Sequence, residues 1–184
     1  MKNHIIVSIR ITIVLLVITC GFYPAVVWGV AQVAFPRQAN GSLVVRDGHV
    51  IGSELIAQNF TSDRYFHPRP SAANYDATNS TGSNLGPTSK KLADRIAADV
   101  RALHMKSVPA DAVTTSASGL DPHISPANAR MQAARVARAR SMDENQLRVL
   151  IDEHTEGRFL GVFGEPRVNV LLLNLALDEH EAPR

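Results

Sequence analysis

Ile11-Thr-Ile-Val-Leu-Leu-Val-Ile-Thr-Cys-Gly-Phe-Tyr-Pro-Ala-Val-Val-Trp-Gly-Val-Ala-Gln-Val-Ala-Phe35 is a run of 25 residues without one Asp, Glu, Lys or Arg. A helix that crosses a bilayer needs ~20 apolar residues at ~1.5 Å each. The run meets that length with a few residues spare for tilt. Gly21 and Pro24 interrupt it, and both are tolerated in membrane helices. Trp28 lies in its second half, where an indole can anchor at the interface. Lys2 and Arg10 precede the run. The 149 residues that follow it carry 17 basic and 17 acidic groups and are formally neutral. The positive-inside bias therefore predicts a cytoplasmic N-terminus at 1–10, a transmembrane helix at 11–35 and an extracytoplasmic domain at 36–184. The run is too long for the ~7–15-residue core of a cleaved signal peptide. Gly29-Val-Ala31 keeps cleavage and secretion as an alternative.

A formally neutral domain argues against nucleic-acid binding, which shows a basic excess. Cys20, the only cysteine, lies inside the apolar run, so neither an intrachain disulfide nor a Cys-based metal site is available. The 149 residues suffice for one core held by packing alone.

Leu43-Val-Val-Arg46 and His49-Val-Ile-Gly52, joined by Asp47-Gly48, read as a hairpin, because both turn residues tolerate positive φ. Ser53–Phe60 reads as a helical turn or two. Residues 61–87, rich in Ser, Asn, Thr, Pro and Gly, form one long irregular loop, and the embedded Tyr65, Phe66 and Tyr75 favour a packed one. The clearest helix is Thr88–His104, with Leu92, Ile96, Val100 and Leu103 on one stripe. Residues 113–126 form a second loop. Ser125 caps a helix that starts at Pro126 and runs to about Arg140. Ser141-Met-Asp-Glu144 reads as the capping box of another, ending near Gly157. Val162–Gly164 reads as a turn. Val168–Leu177 reads as buried, with a periodicity that does not separate strand from helix; a strand passing into a helix near Asn169 is the favoured reading. The expected fold class is α+β: one N-terminal transmembrane helix, then a single compact domain of several helices and a small β-sheet.

The chemical signals are weak. The chain has no Gly-x4-Gly-Lys-Ser/Thr, since Lys90 is misplaced after Gly82 and Gly86. The histidines do not pair at metal-binding spacing. Ser116, Ser118, Asp121 and His123 supply the residue types of a triad, but three members within eight residues cannot readily converge and no nucleophile elbow surrounds them. Asp63, Asp76 and Asp121 are loop carboxylates that would be candidates for local cation contact, or ordinary Asx-turn residues. The helix after Pro126 carries Arg130, Arg135, Arg138 and Arg140, with no acid between Asp121 and Asp143. Its arginines are a solvated face, a seam against an acidic partner, or an anion- or headgroup-binding face.

Three stretches are recognisable together: Tyr65-Phe-His-Pro-Arg-Pro-Ser-Ala72 with Gly82-Ser-Asn-Leu-Gly-Pro87; Ser116-Ala-Ser-Gly-Leu-Asp-Pro-His-Ile-Ser-Pro126; and Gly164-Glu-Pro-Arg-Val-Asn-Val-Leu-Leu-Leu-Asn-Leu-Ala-Leu-Asp178. With Gln132-Ala-Ala-Arg-Val-Ala-Arg-Ala-Arg140 they resemble the C chain of the bacterial Kdp-type potassium-transporting P-type ATPase. The resemblance implies a non-catalytic accessory subunit in the inner membrane. Its partners would be a potassium-translocating chain, an ATP-hydrolysing chain and a small chain. It further implies that this chain supports assembly and acts as a catalytic chaperone, raising the ATP affinity of the hydrolysing chain. ATP and potassium are then used by the complex, with no cofactor assigned to this chain. The family's loop at Ser116, Ser118, Gly119, Leu120 and Asp121 has been compared with an ATP-transporter signature and is the candidate nucleotide contact. Arg69, Ser71, Asn84, Gln132, Arg135, Arg138 and Asn169 are the interface candidates. The readings from other classes are a membrane-anchored exported enzyme and a stand-alone binding module.

Overall fold

The computed structural model describes residues 2–105 and 107–181. Helix α1 (Lys2–Leu16) and helix α2 (Tyr23–Ala34) are joined without a break by a π turn, Val17–Phe22. The result is one helix of 33 residues, Lys2–Ala34, the one candidate membrane span among the described residues. None of its residues is buried. At ~1.5 Å per residue it is ~50 Å long, more than the ~30 Å of a hydrocarbon core. The helix thus begins nine residues earlier than the charge-free run and takes in Lys2 and Arg10. A proline ring conflicts with the carbonyl four residues before it, and a widened turn is one way a helix absorbs such a conflict. Here the π turn ends just before Tyr23-Pro24, and Tyr23 N–H donates to the Ile18 carbonyl, five residues back.

A single helical turn, α3 (Pro36–Ala39), leads to the hairpin of β1 (Leu43–Arg46) and β2 (His49–Ser53). Asp47 and Gly48 have φ of +51° and +77°, the backbone that a two-residue hairpin turn requires. By contacts the chain divides into two compact units after Ile51.

The second unit has its core around β5 (Arg167–Asn169), the middle strand of an antiparallel sheet with β3 (His123–Ile124) and β4 (Thr155–Glu156) on either side. Ile124 and Thr155 both lie opposite Val168. Strands of two or three residues make a clasp rather than a layer. The buried mass comes from α6 (Pro126–Arg140), α7 (Glu144–Glu153) and α8 (Val170–Glu181). Ala129, Ala133, Val136, Leu147, Ile151, Val168, Leu173 and Leu177 form the centre, and Phe66 from the long loop completes it. Each fully buried Leu, Ile or Phe contributes about 2 kcal/mol by area.

Helix α6 spans the expected residues. Ser125 Oγ accepts the Asn128 N–H at 3.0 Å, and Pro126 occupies the first turn. The strand-to-helix change at Asn169 also occurs, because Val170 opens α8. Residues 61–87 contain no helix or strand.

Ser53–Phe60 makes a single turn, within the turn or two expected, closed by Ile56 N–H to the Ser53 carbonyl. It does not continue because Ala57 gives its N–H to the Leu120 carbonyl (2.9 Å) instead. Ser141 is not the cap of α7. It terminates α6 with φ +55°, and Asp143 caps α7 by accepting the Asn145 N–H at 2.9 Å. That helix ends at Glu153, because Thr155 and Glu156 pair with β5. The loop at 113–126 hides strand β3, and the turn α5 (Ala110–Val113) stands just before it. Helix α4 is shorter than expected, Lys90–Ala102, and buries no residue fully.

Candidate functional site

The stretches quoted above meet in one place. The long loop crosses the 114–121 loop so closely that two glycines are required. A Cβ on Gly82 would stand 2.7 Å from the Ala117 carbonyl oxygen, and one on Gly119 would stand 2.7 Å from that of Thr81. Gly119 also has φ +68°. The crossing is tied by Thr81 N–H to Ser118 O (3.0 Å) and Ser80 Oγ to Ser118 O (3.1 Å). Ser71 Oγ donates to Gly119 O at 2.6 Å and accepts the N–H groups of Ala73 and Tyr75.

Arg69 spans the cluster. Its Nη1 donates to Asp121 Oδ2 at 3.1 Å, and its Nη2 donates to Thr114 Oγ1 at 3.3 Å. Asp121 Oδ1 accepts the His123 N–H at 3.0 Å. Burial pushes the Asp121 carboxyl up, but the hydrogen bonds from His123 and Arg69 outweigh it and hold the group below the ordinary carboxylate value. Asp121 therefore stays ionised as a local staple. Asp76 does likewise by accepting from the Thr78 hydroxyl (2.7 Å) and Thr78 N–H (2.9 Å), an Asx turn whose hydrogen bonds lower its pKa. Asp63 faces Arg135 at 3.5 Å.

Helix α6 holds the other side of the long loop. Gln132 Oε1 accepts the His67 N–H (2.8 Å), while its Nε2 donates to the His67 carbonyl (3.0 Å). Arg135 donates to the carbonyls of Asp63 (2.8 Å) and Tyr65 (3.0 Å) and to Gln132 Oε1 (2.8 Å). Arg130 pairs with Asp152 of α7 at 2.6 Å. Arg140 is the deepest, its side chain 1% exposed. It donates to the Arg64 carbonyl (2.6 Å) and to Asp178 (2.8 Å) and lies over the Tyr65 ring. The Tyr65 hydroxyl also donates to Asp178. Three of the four arginines thus bind this chain's own groups. Arg130 and Arg138 are both exposed, but only the Arg138 side chain has no hydrogen bond or ion pair among the described residues.

Asn84 is exposed with φ +52°. Asn169 is buried, donating to the Glu54 carbonyl at 2.8 Å and capping α8 through Leu172 N–H. Ser116 is buried, and the Leu120 N–H is taken by Ser118 Oγ. A phosphate cradle presents successive free N–H groups; here the N–H groups of Gly119 and Leu120 are taken within the loop, by the Ser116 carbonyl and Ser118 Oγ. An open groove of about 460 Å³ lies next to the cluster, lined by His67, Tyr75, Leu103, Gln132 and Arg135 among others. Burial lowers the His67 pKa from its ordinary 6.5, and the Arg135 charge adds to that, against the Ser62 carbonyl and Asp63.

Sequence reasoning missed three fixing residues. Asn174 accepts the Phe66 N–H (2.8 Å) and donates to its carbonyl (2.9 Å), pinning the buried ring as a strand partner would. Asp111 takes Ser125 N–H, Ser125 Oγ and Asn128 Nδ2. Arg140 was visible only as one cation among four. A polar residue inside the apolar 168–178 run was the available signal for Asn174; for Asp111 there was none.

Fold and site together define an α+β chain with one long apolar N-terminal helix and a domain whose loops are stitched to one another beside an open groove. The chain belongs to the KdpC family, the c chain of the K+-transporting ATPase, whose model matches residues 5–179. It is 55% identical over 184 residues to the potassium-transporting ATPase KdpC subunit of Koribacter versatilis (97% of this chain, 95% of the relative). To the subunit of the same name from Myxococcus xanthus it is 53% identical over 193 residues (100% and 91%). To that from Rhodospirillum rubrum it is 59% identical over 165 residues (85% and 86%). The family is that of an accessory chain and not of the chain that hydrolyses ATP.

Proposed function

We propose that this chain is the extracytoplasmic accessory subunit of an ATP-driven potassium import pump. Helix α1–α2 is its single membrane tether, with Lys2 and Arg10 on the cytoplasmic side. The domain beyond holds the potassium-translocating, ATP-hydrolysing and small chains together and raises the ATP affinity of the hydrolysing chain. Charge asymmetry supports the orientation, since Lys2 and Arg10 lie in the N-terminal part of the helix, ahead of its charge-free stretch. The observation that carries the reading is the cross-bonded loop cluster, in which Arg69 Nε is buried without a partner among the described residues but both terminal nitrogens of Arg69 are engaged. Ser116–Asp121 and Arg69 bind one another's backbone and side chains, which suits a rigid docking scaffold better than a nucleotide site. An effect on ATP across the membrane is then a coupling free energy between distant sites. A coupling of ~1–3 kcal/mol changes affinity ~5–150-fold.

The test uses the whole pump in detergent. The tagged chain is expected to bring down the other ATPase chains, and pumps lacking it are expected to need at least ~5-fold more ATP for half-maximal hydrolysis. A chain that purifies alone would favour the anchored enzyme or lone binding module. A carboxyl-terminal reporter that is active only in the cytosol would reverse the orientation.

A further inference from the structure

Between β4 and β5 the chain turns back at Phe159-Leu-Gly-Val-Phe163. Its four large side chains are among the most exposed apolar groups outside the anchoring helix: Phe159 72%, Leu160 76%, Val162 71% and Phe163 65%. The tip is fixed in shape. Phe159 N–H donates to Phe163 O at 2.8 Å, and Phe163 N–H donates back at 2.9 Å. Leu160 and Gly161 occupy the turn with φ of +52° and +74°. A bulky residue at positive φ is strained, where Asn or Gly would relieve the backbone. The strain and the exposure of Leu160 both work against folding, and no burial among the described residues offsets them.

Two ion pairs collar the tip: Arg158–Glu165 at 2.8 Å and Arg167–Glu156 at 2.9 Å. An apolar centre with a polar, internally paired rim is the anatomy of a protein docking hot spot. Building on the subunit role proposed above, we infer that the Phe159–Phe163 tip seats in an apolar pocket on another chain of the same pump, on the side where this domain lies.

Two other occupants fit less well. Attachment to an anionic lipid surface draws on unpaired Lys and Arg, and both collar arginines are neutralised by carboxylates. With about 200 Å² per phenylalanine as a scale, the four side chains offer roughly 500 Å² of apolar surface. Two copies meeting tip to tip would bury about 1,000 Å² in total, below the ~1,200–2,000 Å² of a stable interface. A heteromeric contact escapes that limit, because chains confined to one complex meet at high effective concentration. The preformed shape lowers the ordering cost of docking.

The test again uses the intact pump. A photoreactive side chain replaces Leu160, and retention of the other chains is measured for Leu160→Asn and for Phe159→Ser with Phe163→Ser. The expected results are a crosslink to another ATPase chain and about tenfold lower retention for the double variant. Leu160→Asn is expected to lower retention while leaving the melting temperature unchanged or higher; a purely structural tip would lose stability. Crosslinks to lipid alone, or to a second copy of this chain, would overturn the inference, as would unchanged retention. In those cases wild-type co-purification still stands and so does the subunit role. Failure of the wild-type chain to co-purify overturns both.

Discussion

Helices α4 and α6 invert the usual relation between pattern and burial. Helix α4 has the cleaner apolar stripe, Leu92, Ile96 and Val100, yet no residue of it is buried. Helix α6 is mostly alanine and arginine, yet buries Asn128, Ala129, Ala133, Val136, Ala137 and Arg140. Periodicity reports which face is apolar; it does not report how closely a neighbour can approach. Alanines at 129, 133 and 137 let α7 and β5 come near the α6 backbone, and longer side chains at its edges reach past them to carbonyls. Polar satisfaction divides the helices in the same way. Arg140 is enclosed and fully engaged, whereas Arg95 of α4 has Nε and Nη2 out of water with no partner among the described residues.

The sharpest way to break this contrast is Arg140→Ala. It takes the guanidinium away from the Arg64 carbonyl and from Asp178, which keeps the Tyr65 hydroxyl, and removes the cover of the Tyr65 ring. Deleting one partner of a buried pair costs about 3–5 kcal/mol. Because Asp178 is partly exposed, about 3 is expected, read as a lowered urea midpoint of the full chain in detergent; a loss under about 1 would make α6 an ordinary surface helix. Ala133→Leu comes next. Overpacking a site that is 0% exposed is expected to destabilise by about 2 kcal/mol. Arg95→Met runs the other way. Removing an unsatisfied donor is expected to stabilise by about 1 kcal/mol, seen as a higher melting temperature.

Acid gives the smallest effect. Burial places the folded-state pKa of His67 below 6.5, so the unfolded chain binds the proton first. Stability is expected to fall as pH drops below about 6.5, towards the folded-state pKa, and to level off beneath it. His67→Gln should remove that dependence, measured by melting between pH 7 and pH 5.

The elements that could be read from the sequence were those whose signals are local. Asp47-Gly48 fixed a hairpin by its own backbone preference and Ser125-Pro126 opened a helix, whereas the periodicity of 168–177 did not separate strand from helix. Errors arose where a distant partner decided. Helix α7 stops at Glu153 because Thr155 pairs with Val168, and β3 exists only because Val168 lies opposite Ile124. The candidate residues divide in the same way. Arg69, Ser71 and Gln132 stood out by their place in recognisable stretches. Their shared task, bonding the long loop to the 114–121 loop or to helix α6, depends on contacts across tens of residues that no spacing encodes. For the same reason, Arg135→Glu would disturb the 63–65 backbone before it reported on any partner. Arg138→Glu is the cleaner probe of an arginine interface.

The π turn at Val17–Phe22 has a consequence for the anchoring helix. A turn holding one extra residue rotates everything after it by about 100° relative to an unbroken helix. Side chains before Val17 and after Phe22 thus follow two separate angular frames, and a wheel drawn through the whole helix would put together residues that point apart. A neighbouring helix could follow one frame or the other, but it could not track a single face from end to end without a break of its own.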